Sequence, residues 1–311
     1  MRIMIALGGN ALLERHDKPD ASIQRRHIQA AAAALVPLAA EHDLLICHGN
    51  GPQVGLLALE SEADTSLSEP YPLDALGAQT QGMIGYWLAQ ELRNAGVLRP
   101  VAALITQTVV AADDPAFAHP TKFVGAVYPH DVAAELAVRH GWTVAPDGPV
   151  WRRVVASPSP VRIVEESVIS RLIGAGVLVI CGGGGGVPVV QETNGTYTGV
   201  QAVVDKDLTA ASIAGSMGAQ RLLLLTDVSA VQRHFGTARA ELLRTLDVDE
   251  IAGLNLPAGS MLPKAQACAR FTSATGYPSA IGALTQASAV LAGTAGTTIT
   301  DRAARSLSPT G

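Results

Sequence analysis

Short apolar runs alternate with longer segments of helical periodicity along most of this chain. The apolar runs have the length and aliphatic content of buried strands, and they are residues 3–7, 44–47, 101–106, 177–181, 221–226 and 279–283. Apolar residues recur at helical spacing in residues 22–41, 73–95, 162–174, 202–217 and 263–275, and the first few residues of 202–217 also fit a strand. Nearly continuous apolar strands that alternate with helices predict an α/β fold, with an open, mostly parallel sheet sandwiched by helices.

Residues 113–160 do not continue this alternation of strands and helices. They contain the turn-forming strings Asp113-Asp114-Pro115, His119-Pro120 and Pro146-Asp147-Gly148-Pro149, which are dense in residues that end helices and strands. We therefore predict a small protruding flap subdomain inserted at 113–160 into a single domain that spans residues 1–311. Such an insertion would hang over the sheet edge where ligands of open α/β sheets bind.

The composition narrows the classes of protein. The 311 residues are 48% hydrophobic and 16% charged, with a formal net charge of −5, and no Lys/Arg-rich run is present to follow a nucleic-acid backbone. Apolar stretches are shorter than the roughly 20 residues that a membrane helix needs. The three cysteines have no metal-ligand spacing, which favours free thiols in a reducing compartment. We expect a cytoplasmic enzyme without a nucleic-acid or membrane partner.

Glycine clusters follow two of the predicted strands directly. Gly8-Gly9-Asn10 follows residues 3–7, and Gly182 to Gly186 follow residues 177–181. Backbone N–H groups between a strand and a helix bind phosphate readily, so two such places indicate two anionic ligands. Gly49-Asn50-Gly51 would complete an anion pocket with the first cluster. The alternative interpretation is that these glycines only form tight turns that need a positive φ.

Motifs along nearly the whole chain, in order, resemble those of carbamate kinases, which belong to the amino acid kinase superfamily. The strings that carry the resemblance are Ala6-Leu7-Gly8-Gly9-Asn10-Ala11-Leu12, His48-Gly49-Asn50-Gly51-Pro52-Gln53-Val54-Gly55, Pro72-Leu73-Asp74, Gln81-Gly82-Met83-Ile84-Gly85-Tyr86, Asp113-Asp114-Pro115-Ala116-Phe117, Pro120-Thr121-Lys122, Trp151-Arg152-Arg153-Val154-Val155, Asp205-Lys206-Asp207-Leu208, Gly259-Ser260-Met261 and Pro263-Lys264.

The resemblance implies reversible phosphoryl transfer between ATP and carbamate, giving ADP and carbamoyl phosphate. It implies a homodimer that works in arginine metabolism, often in the direction of ATP synthesis, with carbamate bound by the N-terminal half and nucleotide by the C-terminal half. Mg²⁺ is expected to arrive with ATP or ADP on the phosphate oxygens, because Mg²⁺ retains water ligands. We find no motif for a dedicated metal site.

The resemblance also implies roles for individual residues. Phosphoryl transfer needs cations and N–H donors rather than a protein nucleophile. Lys206 and Lys264 approach the transferred phosphoryl group and the β-phosphate, and Lys122 reaches in from the flap. Asp207, with Asp205, would hold these ammonium groups; the alternative is that both aspartates only place charge at a helix N-terminus. The implied nucleotide contacts are Thr226, Asp227, Val228, Phe235, Gly236 and Met261, to which we add Gly183 and Gly184 because five successive glycines cost more entropy than a plain turn requires.

Some residues have a weaker interpretation or depart from the family pattern. His48 is expected to make a structural hydrogen bond, and Arg152 and Arg153 to anchor the flap through ion pairs. Leu262 stands where the family usually has glycine, which reduces backbone freedom near the nucleotide. Two other functions stay open: a related kinase that acts on another small acid, and a non-catalytic nucleotide-binding sensor.

Overall fold

The structure, a computed structural model, describes residues 1–9, 12, 13, 17–257 and 259–302. The helices of these residues are α1 (Ala21–Glu41), α2 (Gly51–Ala63), α3 (Leu73–Asn94), α4 (His130–His140), α5 (Glu166–Gly174), α6 (Lys206–Ser216), α7 (Met261–Thr275) and α8 (Ala287–Leu291). The strands are β1 (Arg2–Leu7), β2 (Asp43–His48), β3 (Val101–Ala103), β4 (Gln107–Val110), β5 (Lys122–Tyr128), β6 (Thr143–Asp147), β7 (Val150–Val155), β8 (Pro160–Ile163), β9 (Leu178–Ile180), β10 (Val187–Gln191), β11 (Tyr197–Gly199), β12 (Arg221–Thr226), β13 (Gln232–Arg233), β14 (Glu241–Leu242), β15 (Thr245–Asp247), β16 (Ser279–Ala283) and β17 (Thr297–Thr300).

The main sheet has the strand order β15-β17-β16-β12-β1-β2-β9-β3. Neighbouring strands from β16 to β3 are parallel, whereas β17 runs antiparallel to β16. The predicted α/β architecture is therefore confirmed. Because parallel strands end at the same edge of a sheet, the loops after β1, β2, β9 and β12 meet there.

Both faces of the main sheet are buried, which explains why its central strands β1, β2 and β12 are apolar along most of their length. In β1, Met4 and Ala6 point to one face, where they join a core formed with α5, α6 and α7. Ile3 and Ile5 point to the other face, where they pack with α1, α3 and α8. Successive strand residues alternate between the faces, so two helical layers require apolar residues throughout.

A smaller sheet, the two-stranded antiparallel sheet β13-β14 and the segment 113–160 lie outside the main sheet. The smaller sheet has the order β11-β10-β4-β8. Within residues 113–160, β5, β7 and β6 form a separate antiparallel sheet beside α4. Strand β5 lies directly on α2, since a Cβ added to Gly55 would come within 2.8 Å of the Gly125 Cα atom. That this segment moves as a flap stays a prediction.

The helix predicted over 202–217 begins at Lys206, and two further predicted elements differ from the structure. Residues 101–106 do not form one strand: β3 ends at Ala103, and the backbone N–H of Thr106 donates to the Gln81 side chain at 3.0 Å before β4 begins in the other sheet. Residues 160–163 form β8, which pairs with β4, so the helix predicted over 162–174 begins at Glu166. In both places, a side-chain bond or a strand pairing from a distant part of the chain overrides the local pattern.

Candidate active site

The candidate site lies at the edge of the main sheet where the parallel strands end. Gly8 and Gly9 follow β1, Gly49 follows β2, and Asp227 follows β12. The first two loops touch: a Cβ added to Gly49 would lie 2.9 Å from the Gly9 N and Cα atoms and 3.4 Å from Lys206 Cε. Glycine at position 49 therefore lets two loops and one lysine converge.

The N–H groups of this first pair of loops are partly used by the sheet itself. The Gly8 N–H donates to the Leu225 carbonyl at 2.7 Å, and the Gly49 N–H donates to the Leu7 carbonyl at 3.0 Å. Both N–H groups already have a carbonyl partner, so their predicted role as anion donors stays a prediction without support from these contacts. Gly8 acts sterically instead, because a Cβ there would lie 3.1 Å from Thr226 Oγ1. Asn10 lies outside the described residues.

Helix α2 begins at this edge of the sheet, and the N-cap residue Asn50 leaves the N–H groups of its first turn uncapped. Asn50 precedes the helix, and its side chain makes no cap hydrogen bond; its Nδ2 atom donates to Thr80 Oγ1 at 2.8 Å. The first intrahelical bond is from Val54 N to Asn50 O, so the Gly51 N–H lies in the first turn, where helices lack internal partners. Such a terminus attracts anions.

Two lysines share one buried carboxylate at the centre of the site. Lys206 begins α6 and donates to Asp207 Oδ1, and Lys264 of α7 donates to Asp207 Oδ2 at 2.8 Å. The Asp207 side chain is 4% exposed, whereas Lys206 and Lys264 are 12% and 16% exposed. One negative charge thus holds two positive ones, which leaves an excess positive charge in a partly desolvated place.

The charges stabilise each other despite burial. Burial alone would raise the pKa of Asp207, but Lys206 and Lys264 outweigh it and hold that pKa well below its usual range. Burial alone would lower the pKa of Lys206, but the charge of Asp207 and its hydrogen bond raise it instead. Asp207 is therefore ionised and Lys206 protonated at neutral pH.

The two carboxylate oxygens of Asp205 have different partners, which the sequence analysis did not predict. Its Oδ1 atom accepts from the Asp207 N–H at 2.9 Å and the Leu208 N–H at 3.3 Å, so it caps α6. Its Oδ2 atom accepts from Lys122 Nζ, at the start of β5, at 2.7 Å. The structure thus brings Lys122 to the same helix terminus as Lys206, but onto a different carboxylate.

A cavity of about 600 Å³ opens beside the lysine pair, a size within the usual range for small-molecule and cofactor sites. Its lining residues are Gly8, Gly9, Thr226, Asp227, Val228, Ala230, Gln232, Phe235, Leu256, Pro257, Gly259, Ser260, Met261 and Lys264. Most of the residues predicted to contact nucleotide are among them, whereas Gly236, next to Phe235, is not. The sequence analysis missed Ala230, Gln232, Leu256 and Pro257 as lining residues; the only local signal was the Pro/Gly-containing loop that leads to Met261.

The second glycine run lies elsewhere in the site. A Cβ on Gly183 would lie 2.3 Å from His48 Nε2, and one on Gly184 would lie 2.1 Å from Asn50 Nδ2. Neither glycine lines the 600 Å³ cavity. Gly182, Gly184, Gly185 and Gly186 also have positive φ angles. Close packing against His48 and Asn50, together with the positive φ angles, explains why glycines occupy residues 182–186. Because Gly183 and Gly184 do not line the 600 Å³ cavity, their contact with nucleotide stays a prediction that the cavity does not support.

His48 and Leu262 have local explanations. The His48 Nδ1 atom lies 3.0 Å from the Gly49 carbonyl, and burial lowers the pKa of His48 to about 4, so the ring is neutral and structural at physiological pH. Leu262 lies in the first turn of α7 with a right-handed backbone and packs against the core. A side chain therefore replaces glycine there without backbone strain.

Metal and membrane features were also sought in the described residues. No group of three or more His, Cys, Asp or Glu side chains in these ranges is arranged to hold a metal ion. No helix in the same part of the chain is both long and apolar enough to span a bilayer.

Comparison with known proteins shows the family of the chain. A profile of the amino acid kinase family matches residues 1–282. The chain is 47% identical over 302 residues to a carbamate kinase of Rhizobium meliloti, covering 96% of this chain and 93% of that protein. It is 45% identical over 297 residues to a carbamate kinase of Escherichia coli, covering 96% and 98%. The structure of a Giardia lamblia carbamate kinase bound to AMP-PNP superposes with a TM-score of 0.88 at 38% identity, covering 96% of this chain and 98% of that one. With this fold and these matches, the chain belongs to the amino acid kinase family, and within it to the carbamate kinases.

Proposed function

We propose that this chain catalyses reversible phosphoryl transfer between ATP and carbamate, and that it serves to make ATP from ADP and carbamoyl phosphate. The observation that carries the proposal is the pairing of Lys206 and Lys264 on Asp207. The Lys206 side chain lies against Gly49, in the loop after β2, and Lys264 lines the 600 Å³ cavity. The lysine pair therefore spans the two parts of the site between which a phosphoryl group would move.

The nucleotide is proposed to occupy the 600 Å³ cavity. Thr226, Asp227 and Val228 would frame adenine and ribose with Phe235 and Met261, and Lys264 would face the β-phosphate. The Giardia relative that was solved with AMP-PNP supports a nucleotide in this fold. Mg²⁺ would bind through the nucleotide, with phosphate oxygens and water as its main ligands.

The acceptor is proposed to lie over the loops after β1 and β2. Gly9 and the first turn of α2, including Gly51, would provide backbone N–H groups for carbamate or for the transferred phosphoryl group. Gly49 and Gly8 would provide the close approach rather than donors. In our proposal, Gly183 and Gly184 support this acceptor side by packing under His48 and Asn50.

The chemistry needs no nucleophile from the protein. In ATP synthesis, a terminal oxygen of the ADP β-phosphate attacks the phosphorus of carbamoyl phosphate, and the bond from phosphorus to the carbamate oxygen breaks. Charge spreads over the oxygens of the moving group. The excess positive charge at Lys206 and Lys264 would stabilise that charge, and Lys122 would leave Asp205 to add a third cation when residues 113–160 close as a flap.

A coupled assay tests this function against its alternatives. Purified protein is given ADP with carbamoyl phosphate, acetyl phosphate or acetylglutamyl phosphate, and ATP is measured. We expect ATP chiefly from carbamoyl phosphate. ATP chiefly from another donor would favour a related kinase, and ATP from none of them would favour a nucleotide sensor.

The assembly and cellular setting are proposals as well. We propose a cytoplasmic homodimer in arginine metabolism, which is what the resemblance of the motifs to carbamate kinases implies. Tyr86, which is 53% exposed on α3, is a candidate for the dimer surface. Light scattering of the purified protein would distinguish a dimer from a monomer.

A further inference from the structure

A second cavity, here called the junction cavity, lies between helix α2 and residues 113–160. Its volume is about 340 Å³, and it shares no lining residue with the 600 Å³ cavity. Glu62 of α2 and Tyr71 ahead of α3 line one side. Arg139 and His140 of α4, Trp142, and Arg153 of β7 line the other side. A ligand in this cavity would therefore touch both parts of the chain.

Arg153 lies in the junction cavity with most of its guanidinium N–H donors unused by other side chains of the described chain. Its Nη1 atom lies 3.3 Å from Glu62 Oε1, and its guanidinium stacks over the Trp142 ring at 4.7 Å. The bond to Glu62 is its only side-chain hydrogen bond to the described chain, whereas a guanidinium carries five N–H donors. Burial lowers the pKa of Arg153 and raises that of Glu62, so water solvates both groups incompletely.

The charged lining favours an anion. Arg139 and Arg153 bring two positive charges against the single negative charge of Glu62. The Arg139 contact with Glu135 joins two exposed side chains, and such pairs are weak and easily exchanged. The His140 and Trp142 rings stack with centroids 5.0 Å apart, which gives the cavity a flat wall.

We propose that the junction cavity binds a small oxyanion, a phosphate or a carboxylate group, with Arg153 and Arg139 as its cations. Planar guanidinium groups match the oxygens of both anions. Strand β7 pairs with β5, with Val124 opposite Arg153 and Lys122 opposite Val155. An anion that draws Arg153 away from Glu62 therefore acts on β7, the strand that pairs with the Lys122 strand β5. The proposal is independent of which acceptor the kinase phosphorylates.

Trp142 supplies the reporter for a binding test. In a full-length Trp87→Phe/Trp151→Phe protein, Trp142 is the only tryptophan, and its fluorescence is followed during titration with inorganic phosphate or with succinate. Sodium chloride at equal ionic strength is the reference. We expect saturable binding; binding of phosphate alone or of succinate alone would support the proposal and identify the oxyanion.

Two variants locate the binding. Glu62→Gln/Arg153→Gln removes the ion pair without leaving a buried charge, and Arg139→Gln changes only an exposed side chain. Each should raise the dissociation constant at least about tenfold, because each removes a charge-assisted hydrogen bond. Arg162→Gln, which removes an arginine stacked on Tyr197 elsewhere, should leave the dissociation constant unchanged.

A third variant separates the junction cavity from the lysine site. Lys206→Ala/Lys264→Ala should leave the anion titration unchanged, whatever it does to catalysis. The proposal is overturned if neither anion gives a saturable change beyond that of chloride. It is also overturned if the junction variants bind as tightly as the parent protein, or if the lysine variant abolishes the signal.

Discussion

Lys264 Nζ donates to Asp207 Oδ2 at 2.8 Å, and this contact ties the N-terminal part of α7 to the first turn of α6. The other oxygen of Asp207 accepts from Lys206. Because Lys264 lines the 600 Å³ cavity and Lys206 lies under Gly49, a single carboxylate sets the positions of two cations in different parts of the site.

Asp207→Asn is expected to lower kcat by about 10²- to 10³-fold, because an amide cannot hold two ammonium groups in place. It should also lower the melting temperature, since breaking a buried ion pair costs about 3–5 kcal/mol. Asp249→Asn, at an exposed position, is the matched control. Wild-type kcat in the Asp207 variant would mean that the carboxylate does not organise the lysines.

Asp205 variants can separate helix capping from the ion pair with Lys122. Asp205→Asn keeps a good cap but loses the charge, whereas Asp205→Ala loses both. We expect the alanine variant to be less stable than the asparagine variant by about 1 kcal/mol in urea unfolding. Equal stabilities would show that the cap seen at Asp207 N and Leu208 N contributes nothing.

His48 should make the fold sensitive to mild acid. Burial lowers its pKa from 6.5 to about 4 in the folded protein, so the unfolded chain binds a proton more readily. The stabilisation is fully present above pH 6.5 and is lost as the pH falls towards about 4. Unfolding free energies at about pH 7.5 and about pH 5 should therefore differ more in the wild type than in His48→Gln. The same difference in both proteins would contradict this assignment.

Substitution of Gly184 can decide what the second glycine run does. Gly184→Ala places a methyl group on the Asn50 side chain, at a φ of +64°, and should destabilise the fold by about 1–3 kcal/mol. We expect it to raise KM for carbamoyl phosphate more than KM for ADP. Gly82→Ala, in an open position on α3, is the control. A selective loss of ADP affinity would instead favour the nucleotide role predicted from the sequence.

Much of the fold could be predicted because its main signal is local. The strand at 221–226 and the strand at 279–283 agree with the structure residue for residue, since both are buried on two faces and end at polar residues or turns. The break between β3 and β4 could not be predicted, because it depends on Gln81 binding Thr106 from 25 residues away. Periodicity contains no information about such a contact.

The candidate site was predictable in its residue types but less so in their partners. The motif around Lys206 pointed to cations held by aspartate, and the structure places Lys206 and Lys264 on Asp207. The division between Asp205 and Asp207 depends on the start of α6, which a local pattern leaves uncertain by several residues. The packing of Gly183 on His48 required the pairing of β2 with β9, which no single segment of the sequence encodes.

The most direct test of the lysine pair is kcat/KM for ATP formation from ADP and carbamoyl phosphate in the wild type, Lys206→Ala and Lys264→Ala. We expect activity in the wild type and a loss of about 10²- to 10⁴-fold in each variant, with circular dichroism unchanged. Wild-type kcat/KM in either folded variant would contradict the account.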